Sequence, residues 1–184
     1  DDEERIRKIA EDIKRKLKET LERLRDESRK NKRKLEDLLR KSEEKAKRLK
    51  DKLRKMEEEK ERKRDEELKR EIERLRREKE ELHKEFRKRV EDTRRENERR
   101  REEVKKRLDT MRKETEDTEE KIRRDGVDNE DVKRLLRELK EITDRIDEEV
   151  KRLREENERI TRRIEEEHKR LNKELERILR EIER

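Results

Sequence analysis

The sequence predicts an all-α protein: a hairpin of two long helices that assembles into a helical-bundle rod. Three observations carry this. Charged residues fill 69% of the 184 positions and hydrophobic ones 22%, and the abundant types, Glu, Lys, Arg and Leu, are good helix formers. The chain has one glycine and no proline, so the residues that usually make turns are nearly missing. The sparse apolar residues recur at a helical period, which a disordered polyelectrolyte would not show.

The first element follows from that period. A stripe runs from Ile6 through Ile9, Ile13, Leu17, Leu24, Leu35, Leu38, Leu49, Leu53 and Met56, and resumes at Leu68 to reach Phe86, Val104 and Ile122. Its mean spacing is about 3.6 residues, the pitch of a straight α-helix. The phase is kept where polar residues occupy the stripe, at Ser28, Asn31, Ser42, Lys60, Arg64, Lys79, Asn97 and Arg101. The spacing therefore predicts one helix over about 1–124, roughly 186 Å long at 1.5 Å per residue.

The stretch "RRDGVDNEDV" over 123–132 holds the single glycine. Gly126 fits the left-handed position just past a helix end, with Val127 placed for the apolar contact that often follows. Asp128 reads as the N-cap of the next helix, and Glu130 and Asp131 put negative charge in its first turn, where the macrodipole favours it. A turn over about 125–128 and a second helix over about 129–184 result, the latter with its own stripe from Val132 to Ile182. So short a connection joins antiparallel neighbours.

Folding this hairpin pairs positions whose numbers add to about 254, which sets Phe86 opposite His168, Asn97 opposite Asn157 and Thr93 opposite Thr161. The second helix then ends beside residue 70. Two segments follow: residues 1–69 as an overhanging helix that forms an interchain interface, and residues 70–184 as the hairpin. The overhang's stripe needs a cover, and a second copy supplies one if two overhangs pair antiparallel. Leu17 then meets Leu53, Leu21 meets Leu49, Leu24 meets Ala46 and Ser28 meets Ser42. The partner implied is the chain itself, in a two-fold or dihedral homo-oligomer. A cyclic trimer is second, because Lys60 and Arg64 would stack like charges on its axis.

The straight stripe, the single glycine turn, the spaced Asn, Thr and Ser core positions and the Glu/Lys/Arg surface together resemble computationally designed helical bundles. Such proteins use buried hydrogen-bond networks to fix register and oligomer state, including in rod- or axle-like homo-oligomers. The resemblance implies a structural, self-assembling scaffold with no natural activity. Lys60, Arg64, Lys79 and Arg101 depart from it by standing at stripe positions. The segment "MEEEKERKRDEELKREIERLRREKEE", 56–81, is also similar to natural single α-helices, with Glu58–Arg62, Glu59–Lys63 and Glu66–Arg70 at the favourable i,i+4 spacing. That similarity implies a monomeric charged spacer as the alternative, with weak polyanion binding as a further variant of it.

Little is left for chemistry. There is no cysteine, no glycine-rich phosphate loop, and both serines, Ser28 and Ser42, fall within the first helix. His83 and His168 each follow a glutamate by three positions, as Glu80–His83 and Glu165–His168. That is the Glu-x-x-His spacing of di-metal bundles, but glutamate this abundant makes the match cheap. His168 reads instead as a member of a buried polar layer that protonation would weaken. No catalytic, cofactor-binding or metal residue is assigned, and no cofactor or small-molecule ligand is expected. The net charge of +7 comes without a purely basic run or aromatic residues to stack on bases, so specific nucleic-acid binding is not expected. No apolar run approaches the roughly 20 residues of a membrane span, and no signal-peptide pattern occurs, so a soluble chain is expected.

Overall fold

The computed structural model describes residues 2–184. They form three helices: α1 (Asp2–Glu59), α2 (Asp65–Asp125) and α3 (Glu130–Glu183). The all-α class and the bundle packing agree with the sequence. The first helix does not run on to residue 124, because residues 60–64 interrupt it.

No glycine or proline makes that break, so its cause lies elsewhere. Residues 57–67 carry no apolar side chain, and a helix continued through them would bury nothing. Their charges also fit two helix ends better than a helix interior. Glu57, Glu58 and Glu59 close α1 with no basic residue in its last turn, where the macrodipole disfavours negative charge. Asp65, Glu66 and Glu67 then open α2, where it is favoured. Backbone bonds from Arg62 N–H to the Glu59 carbonyl and from Leu68 N–H to the Arg64 carbonyl, both 3.0 Å, bracket the turn. Lys63 ties the two ends together, with its Nζ 3.2 Å from Glu59 and 2.7 Å from Glu71.

The second turn follows the expectation closely. Gly126 has φ of 63°, and the Val127 N–H donates to the Ile122 carbonyl at 3.1 Å. This is the bond that closes a helix through a left-handed glycine, and Val127 packs with Ile122 in one apolar cluster. The N-cap is one residue later than expected. Asn129 Oδ1 accepts from the Asp131 N–H at 2.9 Å, while Asp128 pairs with Lys133 at 2.8 Å. An added Cβ at Gly126 would meet nothing within 4 Å, so alanine there should cost only its left-handed backbone, about 1–2 kcal/mol. Urea denaturation of Gly126→Ala checks this; an unchanged midpoint would show that the turn does not need the positive φ.

By packing, the chain divides into two units, each drawn from all three helices: residues 2–30 with 96–157, and residues 31–95 with 158–184. This replaces the expected division at residues 69 and 70. In the first unit α1 runs parallel to α3, as Lys14–Glu138 and Arg25–Glu149 record, and α2 runs antiparallel to α3. Its core gathers Ile6, Ile13 and Leu17 of α1 with Leu108 of α2 and Leu139 and Ile146 of α3. The second unit has two clusters. One holds Leu53 and Met56 with Ile72, Leu75, Ile178, Leu179 and Ile182. The smaller one holds Leu35, Leu39, Phe86, Val90, Ile160 and Ile164. Each such side chain, fully buried, contributes about 1.5–3 kcal/mol.

The overhang expected for residues 1–69 is therefore absent. Turning back at residues 60–64 lays the α1 stripe against α2 and α3 of the same chain, and burial of that stripe outweighs the cost of a five-residue turn. Leu17 and Leu53, expected to meet across two chains, are each fully buried in separate clusters of one chain. A local shift accompanies this: Ala10 is buried and Ile9 is 41% exposed. Among the described residues no helix is long and apolar enough to cross a membrane.

Candidate functional site

Several buried polar groups of this chain are satisfied within their own helix. The hydroxyls of Thr20, Thr93, Thr115, Thr118 and Thr143 each donate to the carbonyl four residues earlier in their own helix. Those bonds do not tie one helix to another. Thr20 and Thr143 are buried polar positions that the stripe does not single out, since each lies next to an apolar stripe residue, Leu21 and Ile142. Asn97 and Asn157 line one small cavity in the first unit with Ser28 and Arg101, about 40 Å³ in volume. Asn31 is buried, and its Nδ2 has no hydrogen-bond partner within the chain. Lys79 stands at its stripe position through an ion pair with Glu176 of α3.

One buried polar group does join all three helices. In the second unit Ser42 Oγ of α1 lies 2.9 Å from His168 Nδ1 of α3, and His168 Nε2 lies 2.8 Å from His83 Nδ1 of α2. Phe86 stacks face-on against His168, with ring centroids 3.9 Å apart and planes 12° apart, as the hairpin register predicts. His168 is 4% exposed, and His83 is half-buried. Helix geometry places these groups: His83 and Phe86 are three apart on α2, so they project side by side toward α3. The pairing of Ser42 with His168 was not legible in the sequence, where α1 had no intrachain partner.

A neutral imidazole has one N–H and one bare nitrogen, so the chain of bonds can run two ways. Ser42 can donate to Nδ1 while His168 Nε2–H donates to His83. In the other direction His83 Nδ1–H donates to His168 Nε2, and His168 Nδ1–H donates to Ser42. Either way no ring is charged. Burial, reinforced by repulsion from His83 whenever that ring is protonated, pushes the His168 pKa down to about 4. The His83 pKa is also lowered, by burial first and then by Arg87 and Lys79. The site is built for neutral imidazoles at pH 7.

His83, Phe86 and His168 face a groove of about 670 Å³ between α2 and α3. Arg87, Arg94, Arg162, Lys169 and Lys173 line it against Glu91, Glu165 and Glu166. Glu165 is engaged by Arg94 at 2.6 Å, and Glu80 is exposed, so neither Glu-x-x-His pair is drawn in around the rings. Among the described residues no group of three or more His, Cys, Asp or Glu side chains is placed to hold a metal.

No protein-family model matches this chain, and no curated protein matches it. A solved structure described as a "Computationally designed three helix bundle" is similar to it, at 17% identity and a TM-score of 0.44, over 97% of this chain and 86% of that one.

Proposed function

We propose that this chain is a structural scaffold of the designed-bundle kind, monomeric in solution, whose function is its fold. One observation carries the reading. The α1 stripe, including Ile6, Leu17 and Leu53 at 0% exposure, is covered by α2 and α3 of the same chain. Self-assembly was expected because that stripe had no cover, and with the cover supplied internally the demand for a second copy disappears. Ile9 is the exposed large hydrophobic side chain among the described residues, and a lone apolar residue on a surface is ordinary. The charged exterior then serves solubility and supports the helices through i,i+4 pairs such as Arg89–Glu85 and Arg100–Glu96.

Sedimentation equilibrium at micromolar concentration tests this, with the mass of one chain, 23.5 kDa, as the expected result. A stoichiometric dimer, higher dihedral assembly or trimer would overturn the single-chain reading and restore the homo-oligomeric scaffold.

A further inference from the structure

The contact between His83 and His168 is edge to edge. The ring planes are 6° apart and the centroids 5.0 Å apart. With the nitrogens 2.8 Å apart, the greatest possible centroid separation is that distance plus one ring radius at each end, and the observed value sits near this limit. The two ring centres and the two nitrogens therefore lie almost on one line. His83 Nδ1 and His168 Nε2 aim their in-plane orbitals at the same point, which a single proton occupies.

We propose that these two nitrogens, backed by Ser42 and reached from the groove between α2 and α3, form a two-coordinate site for a monovalent soft ion of the Cu⁺ or Ag⁺ type. Collinear donors suit an ion that binds two ligands in line. Zinc instead calls for a tetrahedral set with at least three protein ligands, and the described residues offer no such set. Charge selects in the same direction. Arg87 and Lys79 act on His83, and their repulsion of a divalent ion would be twice that of a monovalent one.

Ser42 gives His168 the support a metal-binding histidine normally has. With Nδ1–H donated to the Ser42 oxygen, Nε2 is the bare nitrogen. The protons balance. A neutral pair carries two N–H groups in all, one of them between the rings. When the ion takes that place, the inner proton moves by tautomerisation to the outer nitrogen of its own ring, leaving N–H on His168 Nδ1 and His83 Nε2, so binding near neutral pH releases no net proton. Imidazole nitrogens stand about 2.0–2.1 Å from a bound ion such as zinc, and on that scale an in-line pair is roughly 4 Å apart. The contact must open by little more than an ångström. Phe86 and Ser42 hold His168 in place, while half-buried His83 can shift toward the groove.

The test is titration of the full chain with Ag⁺, which needs no reductant, in chloride-free buffer near neutral pH, followed by NMR of the ring and methionine methyl resonances. The expected result is one equivalent bound, with both imidazoles shifting together and no net proton release. His83→Ala, at a half-exposed position that circular dichroism can confirm as folded, should abolish that equivalent. Ser42→Ala should weaken it about tenfold, the usual effect of losing a supporting bond. Zn²⁺ should bind the rings more weakly than Ag⁺. The assignment is overturned if only the methyls of Met56 or Met111 shift, if His83→Ala binds as wild type does, or if Zn²⁺ proves the tighter ligand of the two rings.

Discussion

Replacing Phe86 by alanine should destabilise the protein by about 3–5 kcal/mol, the usual range for emptying a buried phenylalanine site. The effect should fall at the high end for two reasons. Phe86 belongs to the smallest of the three apolar clusters, whose other buried members are Leu35, Leu39, Val90, Ile160 and Ile164, with Leu38 packed against them, so few neighbours can close the cavity. It also covers one face of His168, and its loss would admit water to a ring kept neutral by burial. Two readouts should therefore move together: the urea midpoint should drop, and the His168 pKa should rise from about 4 toward the ordinary 6.5. Phe86→Leu, which keeps burial but not the ring face, should fall between the two in stability. A loss below about 1 kcal/mol, or an unmoved His168 titration, would show that Phe86 does not seal the site.

Acid should loosen the second unit before the first. His168 titrates near 6.5 in the unfolded chain and at about 4 in the folded one. Between those values the unfolded chain binds more protons. Stability is thus fully present above pH 6.5 and declines as pH falls toward 4. A shift of that size corresponds to a loss on the order of 3 kcal/mol, and His83, lowered in the same direction, adds to it. The first proton is opposed mainly by burial; a second sets N–H against N–H across the His83–His168 contact and breaks it. The neighbouring groups do not relieve this. Lys79 and Arg87 of α2 are positive, Ser42 of α1 is neutral, and Lys169 of α3 shares the groove wall. Of the groove carboxylates, Glu165 is engaged by Arg94 and Glu91 by Arg95, and neither these nor Glu166 raises the pKa of either ring.

Lowered carboxylates such as Glu138, Glu149, Glu174 and Glu176 begin to lose their contributions only as pH falls through the ordinary carboxylate value of 4.5, so at pH 5 the histidine effect stands largely apart from theirs. Both histidines lie in residues 31–95 and 158–184. Hydrogen exchange at pH 5 should show protection lost there and kept in residues 2–30 and 96–157. His168→Gln should flatten the dependence between pH 6.5 and 4. An equal loss in both units, or an unchanged profile in that variant, would remove the imidazole pair as the cause.

The sequence by itself determined the all-helical class, the glycine turn and the hairpin register. Those are matters of local propensity and of short-range geometry: Gly126 takes the backbone angle that other residues avoid, and one tight turn sets Phe86 against His168. Even the second histidine of the pair was within a turn of its place. Only the tertiary structure decided what α1 does. A stripe that keeps its phase through Lys60 and Arg64 is equally compatible with one long helix and with two helices joined by a turn, because phase records which face is apolar and not whether the backbone continues. The charges around Glu57–Glu59 and Asp65–Glu67 did hold a local signal for the break, an acidic helix end followed by an acidic helix start, yet it is worth less than the burial that acts on it. That burial is long-range. Ile6 to Met56 find cover only once α2 and α3 have formed, and the same folding back carries Ser42 onto His168. The three-helix bond chain thus belongs to no segment of the sequence, since its members meet only when α1 returns against the hairpin.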